Sequence, residues 1–265
     1  LIKMYGASVP RPFGHAVADE LFASGFIPSA TDFEIFRDYG NVPGIDFAYV
    51  EDGWRYHTRY DNVDYITHES VQYTGNNILP LTERVASSEE LINPPEGHWP
   101  IYFDYLGLFM ISYTDNVGVV LNYTVSVLVV VIIFIIQTKL KLENVWFVLF
   151  ETIIAFVTMV IGVVLSAVLC IAMASIMNAV DNTMSWHNTI FISVGIYMSL
   201  ALLTQIATYH GIQAVTKRFF KTKKYKELST RRKVKISLNG VNLFWAILAI
   251  FVTAAGFRLG YIMII

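Results

Sequence analysis

An apolar run in the middle of the chain constrains the fold more than any other feature. Residues 117–137, VGVVLNYTVSVLVVVIIFIIQ, contain no Asp, Glu, Lys, Arg or His. A helix of that length crosses a hydrocarbon core of about 30 Å. Similar runs follow, so the sequence predicts an all-α polytopic membrane region over residues 117–265, with transmembrane helices at about 117–137, 148–177, 190–214 and 241–265. The hydrophobic fraction of 55% and the mean hydropathy of +0.51 exceed those of an average soluble domain and agree with this prediction.

The charges are distributed unevenly along the chain. Residues 1–116 contain 6 Lys and Arg against 17 Asp and Glu, whereas residues 117–265 contain 13 against 4. Short loops rich in Lys and Arg stay on the cytoplasmic side of a membrane. Residues 178–189 contain no Lys or Arg and residues 217–235 contain ten, so residues 1–116 are predicted to be non-cytoplasmic. Basic clusters also attract nucleic acid and anionic lipid, but a tract between two spans favours a topological role and no nucleic-acid partner.

A few polar residues lie within or beside the predicted spans. Gln205, His210 and Asn242 are candidates to line a transport path, but most lie near predicted helix ends, which favours an interfacial position. Arg258 in the fourth predicted span is expected to extend its side chain to the opposite interface. The single cysteine, Cys170, excludes an intrachain disulfide. A small transporter would show internal repeats or paired charges in mid-membrane, and the sequence has neither.

Residues 1–92 alternate between helix and strand signals, a pattern typical of an α/β domain. The first helix follows a PRP motif and is predicted to end at Gly25 in a left-handed cap. The next begins at Thr31, which with Glu34 forms the pattern of a capping box, and is predicted to end at Gly40.

A strand and a last helix complete the predicted α/β segment. GIDFAYV, residues 44–50, is rich in β-branched and aromatic residues between two turn signals, so it predicts a buried strand. Residues 67–86 predict a helix, and residues 93–116 are interpreted as a linker to the first span. His57 falls in the loop between strand and helix, where open α/β sheets bind ligands.

Taken alone, the stretch GWRYHTRYDN leaves two interpretations of His57 open. It is either a metal ligand or an ordinary loop histidine. The second interpretation has support because zinc takes three or four donors and no His or Cys lies at a typical ligand spacing from His57. His15 and His68 are interpreted as surface residues. Five carboxylates are candidates for oxygen ligands or a general base, with helix caps, turns and solvated faces as the alternative for most of them: Asp32, Asp38, Asp46, Asp61 and Asp64.

Several blocks in order resemble the co-catalytic di-zinc aminopeptidase family of zinc exopeptidases. The blocks are PSATDF, FRDYGNVPGIDFAY, YHTRYDN and VQYTGNNIL, and together they cover roughly residues 1–92. The resemblance implies the C-terminal part of a zinc-exopeptidase domain that acts on peptides in a membrane-bound, lumenal branch of the family in the endoplasmic reticulum. It implies that His57 is the last ligand of a two-zinc site. It also implies that Asp32 supports the site, and that Tyr56 and Asp61 hold the ligand loop or serve only packing and capping.

The departures from the family pattern limit what this chain is expected to do. The family's His-x-Asp ligand, its Glu-Glu pair with the general base and a further acidic ligand precede the matching blocks and have no counterpart here. The chain also begins with Leu1 and ends inside an apolar stretch, so it is expected to be a fragment. The leading hypothesis is therefore an inactive fragment of a membrane-anchored zinc metallopeptidase, with peptide substrate and membrane lipid as partners. The alternative is a non-catalytic, peptidase-like membrane scaffold, and the oligomeric state stays open.

Overall fold

A computed structural model of the chain describes most of its residues. The described residues are 1–25, 27, 31–49, 52–89, 99–139, 145–181, 189–219 and 230–265. They form two compact units, one made of residues 1–124 and 249–265 and the other of residues 125–248.

The first unit contains short helices and one antiparallel hairpin. Its elements are α1 (Ile2–Ser8), α2 (Ala16–Ala23), α3 (Asp32–Asp38), α4 (His68–Ala86), β1 (Ile101–Tyr105) and β2 (Phe109–Tyr113), together with one short C-terminal helix.

Helices account for most of the rest of the chain. They are α5 (Asp115–Lys139), α6 (Val145–Ala179), a segment in which α7 (Ile190–Ser193) is joined through a π-helical turn (Val194–Met198) to α8 (Ser199–Phe219), and α9 (Thr230–Ala254). The short helix α10 (Gly260–Ile264) follows and belongs to the first unit. Four of these helical segments are long and apolar enough to cross a membrane, at Asp115–Ile135, Leu149–Ala179, Ile190–Thr216 and Val234–Ala254.

The predicted helix boundaries in the first unit are confirmed where local capping sets them. Gly25 follows α2 with a φ of 71°, the left-handed conformation expected of a residue that ends a helix. The Thr31 hydroxyl accepts a hydrogen bond from the N–H of Phe33 at 3.3 Å and begins α3. The Thr67 hydroxyl accepts one from the N–H of Ser70 at 3.1 Å and begins α4. Caps of this kind contribute about 1 kcal/mol each.

The prediction of a buried strand at residues 44–50 is wrong. Residues 41–49 have no regular structure and are largely exposed, and residue 50 lies outside the described part. A strand needs a neighbour to pair with its backbone groups, and the only sheet among the described residues is the hairpin of β1 and β2. The segment is held by side chains instead, because the rings of Phe47 and Tyr5 meet edge to face at 5.5 Å.

The predicted linker at residues 93–116 contains a hairpin in its described part. Strands β1 and β2 pair from Ile101 with Tyr113 to Tyr105 with Phe109. Leu106 and Gly107 both have positive φ, at 52° and 67°, as a type I′ turn requires. The sequence signal was weak because Leu replaces the Asn or Asp that usually opens such a turn.

The fourth span differs from its prediction of 241–265. Helix α9 ends at Ala254, and Gly256 has a φ of 82°, which stops the helix before α10 begins at Gly260. Arg258 therefore lies in a turn after the helix and is 8% exposed, so it does not extend from a continuous helix to an interface.

Small residues set the contact between α6 and α8 in the second unit. A methyl group added to Gly162 would overlap the side-chain amide of Gln205. Four residues further along α6, the Ser166 hydroxyl donates to the carbonyl of Ala201 at 3.3 Å. Small residues let membrane helices approach closely and let polar groups pair across them. Gln205 therefore lies in the contact between α6 and α8.

Candidate functional site

The loop of residues 52–65 contains three of the four predicted site residues and is built from local hydrogen bonds. A 3₁₀ turn, Gly53–Arg55, follows Asp52, which has a φ of 55°. The Thr58 hydroxyl donates to the carbonyl of Arg55 at 2.7 Å. The Asn62 side chain accepts from the N–H of Asp64 at 3.0 Å and begins a second 3₁₀ turn. Because these hydrogen bonds join residues close in sequence, they stabilise the conformation of the loop without pairing to a strand.

Arg55 fixes the centre of this loop. Its guanidinium carbon lies 4.5 Å from the ring centroid of Tyr65 and 5.1 Å from that of Trp54. Its Nη2 lies 3.3 Å from the Asp52 carboxylate. The ring of Tyr60 contacts both aromatic rings, at 5.7 Å from Trp54 and 5.9 Å from Tyr65. Cation–π contacts at exposed sites contribute about 0.5–1 kcal/mol each, so the cluster holds the backbone two residues before His57.

His57 has an unusual backbone and an exposed side chain. Its φ is 60°, in the left-handed region that costs a non-glycine residue about 1 kcal/mol. Its imidazole stacks on the ring of Tyr56 at a centroid distance of 3.9 Å. Its backbone N–H donates to Oδ2 of Asp61 at 3.4 Å. Tyr56 and Asp61 therefore both contact His57, one through its ring and the other through its backbone.

Asp32 lies on a different element from the other predicted site residues. It is the exposed first residue of α3, next to the capping residue Thr31. The Thr31 hydroxyl also donates to Oδ2 of Asp46 at 2.5 Å. Among the described residues, no hydrogen bond or ion pair joins Asp32 to residues 56–61. The structure brings Tyr56, His57 and Asp61 together and leaves Asp32 apart.

The described residues do not by themselves complete a zinc site. Zinc takes three or four protein donors in structural sites and three with a water in catalytic ones. No group of three or more His, Cys, Asp or Glu side chains that could hold a metal occurs in the described ranges. The His57 imidazole is one group that could bind a zinc ion, and no reaction step through a metal follows from these residues.

A second polar cluster, which the sequence did not reveal, surrounds Arg258. Its Nη2 lies 2.8 Å from Oδ2 of Asp19, and its backbone N–H donates to Oε1 of Glu20 at 2.7 Å. The N–H of Leu259 donates to the other Glu20 oxygen at 3.0 Å. Nearby, burial raises the pKa of Tyr102 to about 12, with the Asp19 charge as a smaller cause. The cluster ties the turn after α9 to helix α2.

His15 is a surface residue, as predicted, with its side chain 50% exposed, and it also takes part in a third polar contact. Its Nε2 lies 3.3 Å from Oδ1 of Asp104, whose side chain is 4% exposed. The same carboxylate accepts the N–H of Gly14 at 3.2 Å and the N–H of Gly107 at 2.9 Å. Asp104 thus fastens the hairpin turn to the segment before α2. His68, at the start of α4, is exposed as expected.

Arg55 is the residue near the site that sequence reasoning missed. Its signal was the alternation of aromatic and basic residues in WRYHTRY, which was interpreted only as context for the histidine. An arginine between aromatic residues and close to an Asp is a candidate for a stacked ion pair, which would have identified Arg55.

Comparisons with known proteins connect this loop to a peptidase family. Residues 1–82 match Peptidase family M28. The chain is 35% identical over 228 residues to endoplasmic reticulum metallopeptidase 1 of Mus musculus, covering 83% of this chain and 24% of that protein. The Homo sapiens protein of the same name is 36% identical over 229 residues, with the same coverage.

A fungal protein also matches part of the chain. The vacuolar membrane protease of Candida glabrata is 34% identical over 101 residues, covering 38% of this chain and 10% of that protein. No solved structure matches the chain. The chain spans about a quarter of the length of the mouse and human relatives.

Proposed function

We propose that this chain is part of a membrane-anchored zinc exopeptidase of the aminopeptidase type, because residues 1–82 match Peptidase family M28. Its substrates are peptides in the lumen of the endoplasmic reticulum, and the protein is a multi-pass component of that membrane. The observation that carries the proposal is the order along the chain, in which a peptidase-family segment is followed by four membrane-length helices. The names of the mouse and human relatives support the compartment.

Among the described residues, His57 is the zinc ligand that this chain contributes. Its imidazole is exposed on a loop whose left-handed backbone is held by contacts on both sides. Strained backbone of this kind is concentrated at functional sites, where surrounding structure fixes it. The remaining donors for two ions and the general base come from other parts of the parent protein, so this chain alone is inactive.

Residues 1–116 face the lumen. The support is the distribution of basic residues, since the ten Lys and Arg of residues 217–235 lie on the opposite side of a span from residues 178–189, which have none. This orientation places the His57 loop in the same compartment as its peptide substrates.

Replacement of His57 in the complete parent protein tests the proposal. His57→Ala is expected to abolish aminopeptidase turnover and to lower the bound zinc measured by elemental analysis. His68→Ala is the matched control, because His68 is also an exposed histidine of the same segment, and it should leave both quantities unchanged. Unchanged zinc content and turnover in His57→Ala would reject the ligand assignment.

The second candidate is a non-catalytic membrane scaffold that keeps the peptidase-like segment for binding. It is favoured by the exposed, ring-stacked position of His57, and the described residues hold no group of three or more possible metal ligands. A parent protein that carries neither zinc nor turnover before any substitution would establish this alternative.

A further inference from the structure

The hairpin carries an exposed apolar surface at its turn. We define the apolar tip as the side chains of Phe13, Tyr105, Leu106, Leu108 and Phe109. All five are exposed, with Leu106 at 79% and Leu108 at 69%. Residues 105–113 contain no Asp, Glu, Lys, Arg or His, so the tip is uncharged as well as apolar.

The apolar tip is held in place from within the protein. Both oxygens of the Asp104 carboxylate accept backbone N–H groups, one from Gly107 in the turn and one from Gly14. The ring of Phe13 lies directly over Gly107, where an added Cβ would be 3.3 Å from it. The rings of Tyr105 and Phe109 stack at 5.4 Å. The exposed side chains are therefore presented on a fixed turn and not on a loose loop.

The hairpin is continuous with the first membrane-length helix. Strand β2 ends at Tyr113 and α5 begins at Asp115, which is also where the first apolar span begins. The base of the hairpin packs on the first turn of α5, because an added Cβ on Gly118 would overlap the side chain of Ile101 and contact Tyr113. A strand of five residues is about 17 Å long, so the tip stays within that distance of the point where α5 enters the apolar phase.

We propose that the apolar tip inserts into the lipid headgroup and acyl boundary of the leaflet that α5 enters. Aromatic and leucine side chains on an uncharged surface are the residues that favour this boundary. A cluster of exposed apolar side chains normally marks a contact with lipid or protein. We assign lipid as the contact because the connection from β2 to α5 is short, so the bilayer is the apolar phase that always lies near the tip. The tip is a second membrane attachment, and it fixes the orientation of the hairpin and of the segment that Asp104 fastens to it.

Site-specific fluorescence in vesicles tests the proposal. In a Cys170→Ser background, single cysteines at Leu106→Cys and Leu108→Cys carry an environment-sensitive fluorophore, and the full chain is reconstituted in phosphatidylcholine vesicles. Leu79→Cys is the matched control, because Leu79 is a comparably exposed leucine, at 62%, on α4. Labels at 106 and 108 are expected to be quenched severalfold more than the control label by nitroxide-bearing phosphatidylcholine, and to be protected from aqueous iodide.

Each other outcome overturns the proposal. Labels quenched by iodide as readily as the control label would place the tip in water. Labels shielded from both quenchers would show that protein covers the tip, from a second copy or another chain. Equal lipid quenching at all three positions would show no preference of the tip for the membrane. Both leucines are exposed, so their replacement removes no buried contact, and an unchanged helical circular dichroism spectrum verifies the fold.

Discussion

Arg258 and Asp19 form an ion pair across 239 positions of sequence, with Nη2 of the arginine 2.8 Å from Oδ2 of the carboxylate. The arginine side chain is 9% exposed. Neighbouring Glu20 is also buried and accepts two backbone N–H groups from the same turn, those of Arg258 and Leu259. The turn that follows the fourth membrane-length helix is therefore attached by charge and by backbone hydrogen bonds to α2, which lies within the residues that match Peptidase family M28.

Glu20→Ala is predicted to destabilise the first unit strongly. It removes the acceptor of two backbone N–H groups, those of Arg258 and Leu259, and a buried donor left without an acceptor costs about 1–3 kcal/mol. Glu34→Ala is the control, because Glu34 is an exposed glutamate on α3 whose ion pair with Arg37 is 3.8 Å long. Its effect should stay within about 0.5 kcal/mol. Denaturant unfolding in detergent measures both, and equal effects of the two substitutions would contradict the role of Glu20.

Arg55→Lys is predicted to loosen the His57 loop although the charge is retained. Lysine lacks the planar group that stacks against Trp54 and Tyr65, so the backbone before His57 loses its support. Hydrogen–deuterium exchange at residues 56–61 should become severalfold faster. The matched control is Arg59→Lys, because Arg59 stacks on Tyr60 alone and is exposed. If the two substitutions change exchange equally, Arg55 has no special part in holding the loop.

Prediction from sequence succeeds for contacts between near neighbours in the chain and fails for contacts between distant residues. The starts of α3 and α4 were predictable because Thr31 and Thr67 bond to N–H groups two or three residues away. The pairing of Arg258 with α2 was not, because its partners lie more than two hundred residues earlier. The strand expected at residues 44–50 failed for the same reason, since β-pairing depends on a neighbour that local sequence does not specify. The grouping of Tyr56, His57 and Asp61 was predictable because all three belong to one short loop.

Gly162→Ala is predicted to weaken the packing of α6 on α8. The added methyl group meets the amide end of the Gln205 side chain, which must turn away and leave the contact, so the expected cost is near the lower end of the roughly 1–3 kcal/mol of overpacking. Gly211→Ala is the control within α8, because nothing lies near its added methyl group. That substitution should be neutral or stabilising by up to about 1 kcal/mol, since alanine favours a helix more than glycine does. Unfolding in a mixed-detergent titration distinguishes the two, and a neutral Gly162→Ala would show that the helices are not in close contact there.

A glycosylation scan tests the proposed lumenal position of residues 1–116. The natural acceptor pattern NYT begins at Asn122, which is 1% exposed and donates to the Thr253 hydroxyl at 2.9 Å, so the unmodified chain should carry no glycan. Asp64→Thr creates the pattern NVT at Asn62, in an exposed turn of the His57 loop. Expression in cells should then add one glycan, detected as a mobility shift that peptide N-glycosidase reverses. The double substitution Asn62→Gln with Asp64→Thr should remove the shift. No glycan on Asp64→Thr would place the loop on the cytoplasmic side, and a glycan on the unmodified chain would show that Asn122 is accessible and not bound to Thr253.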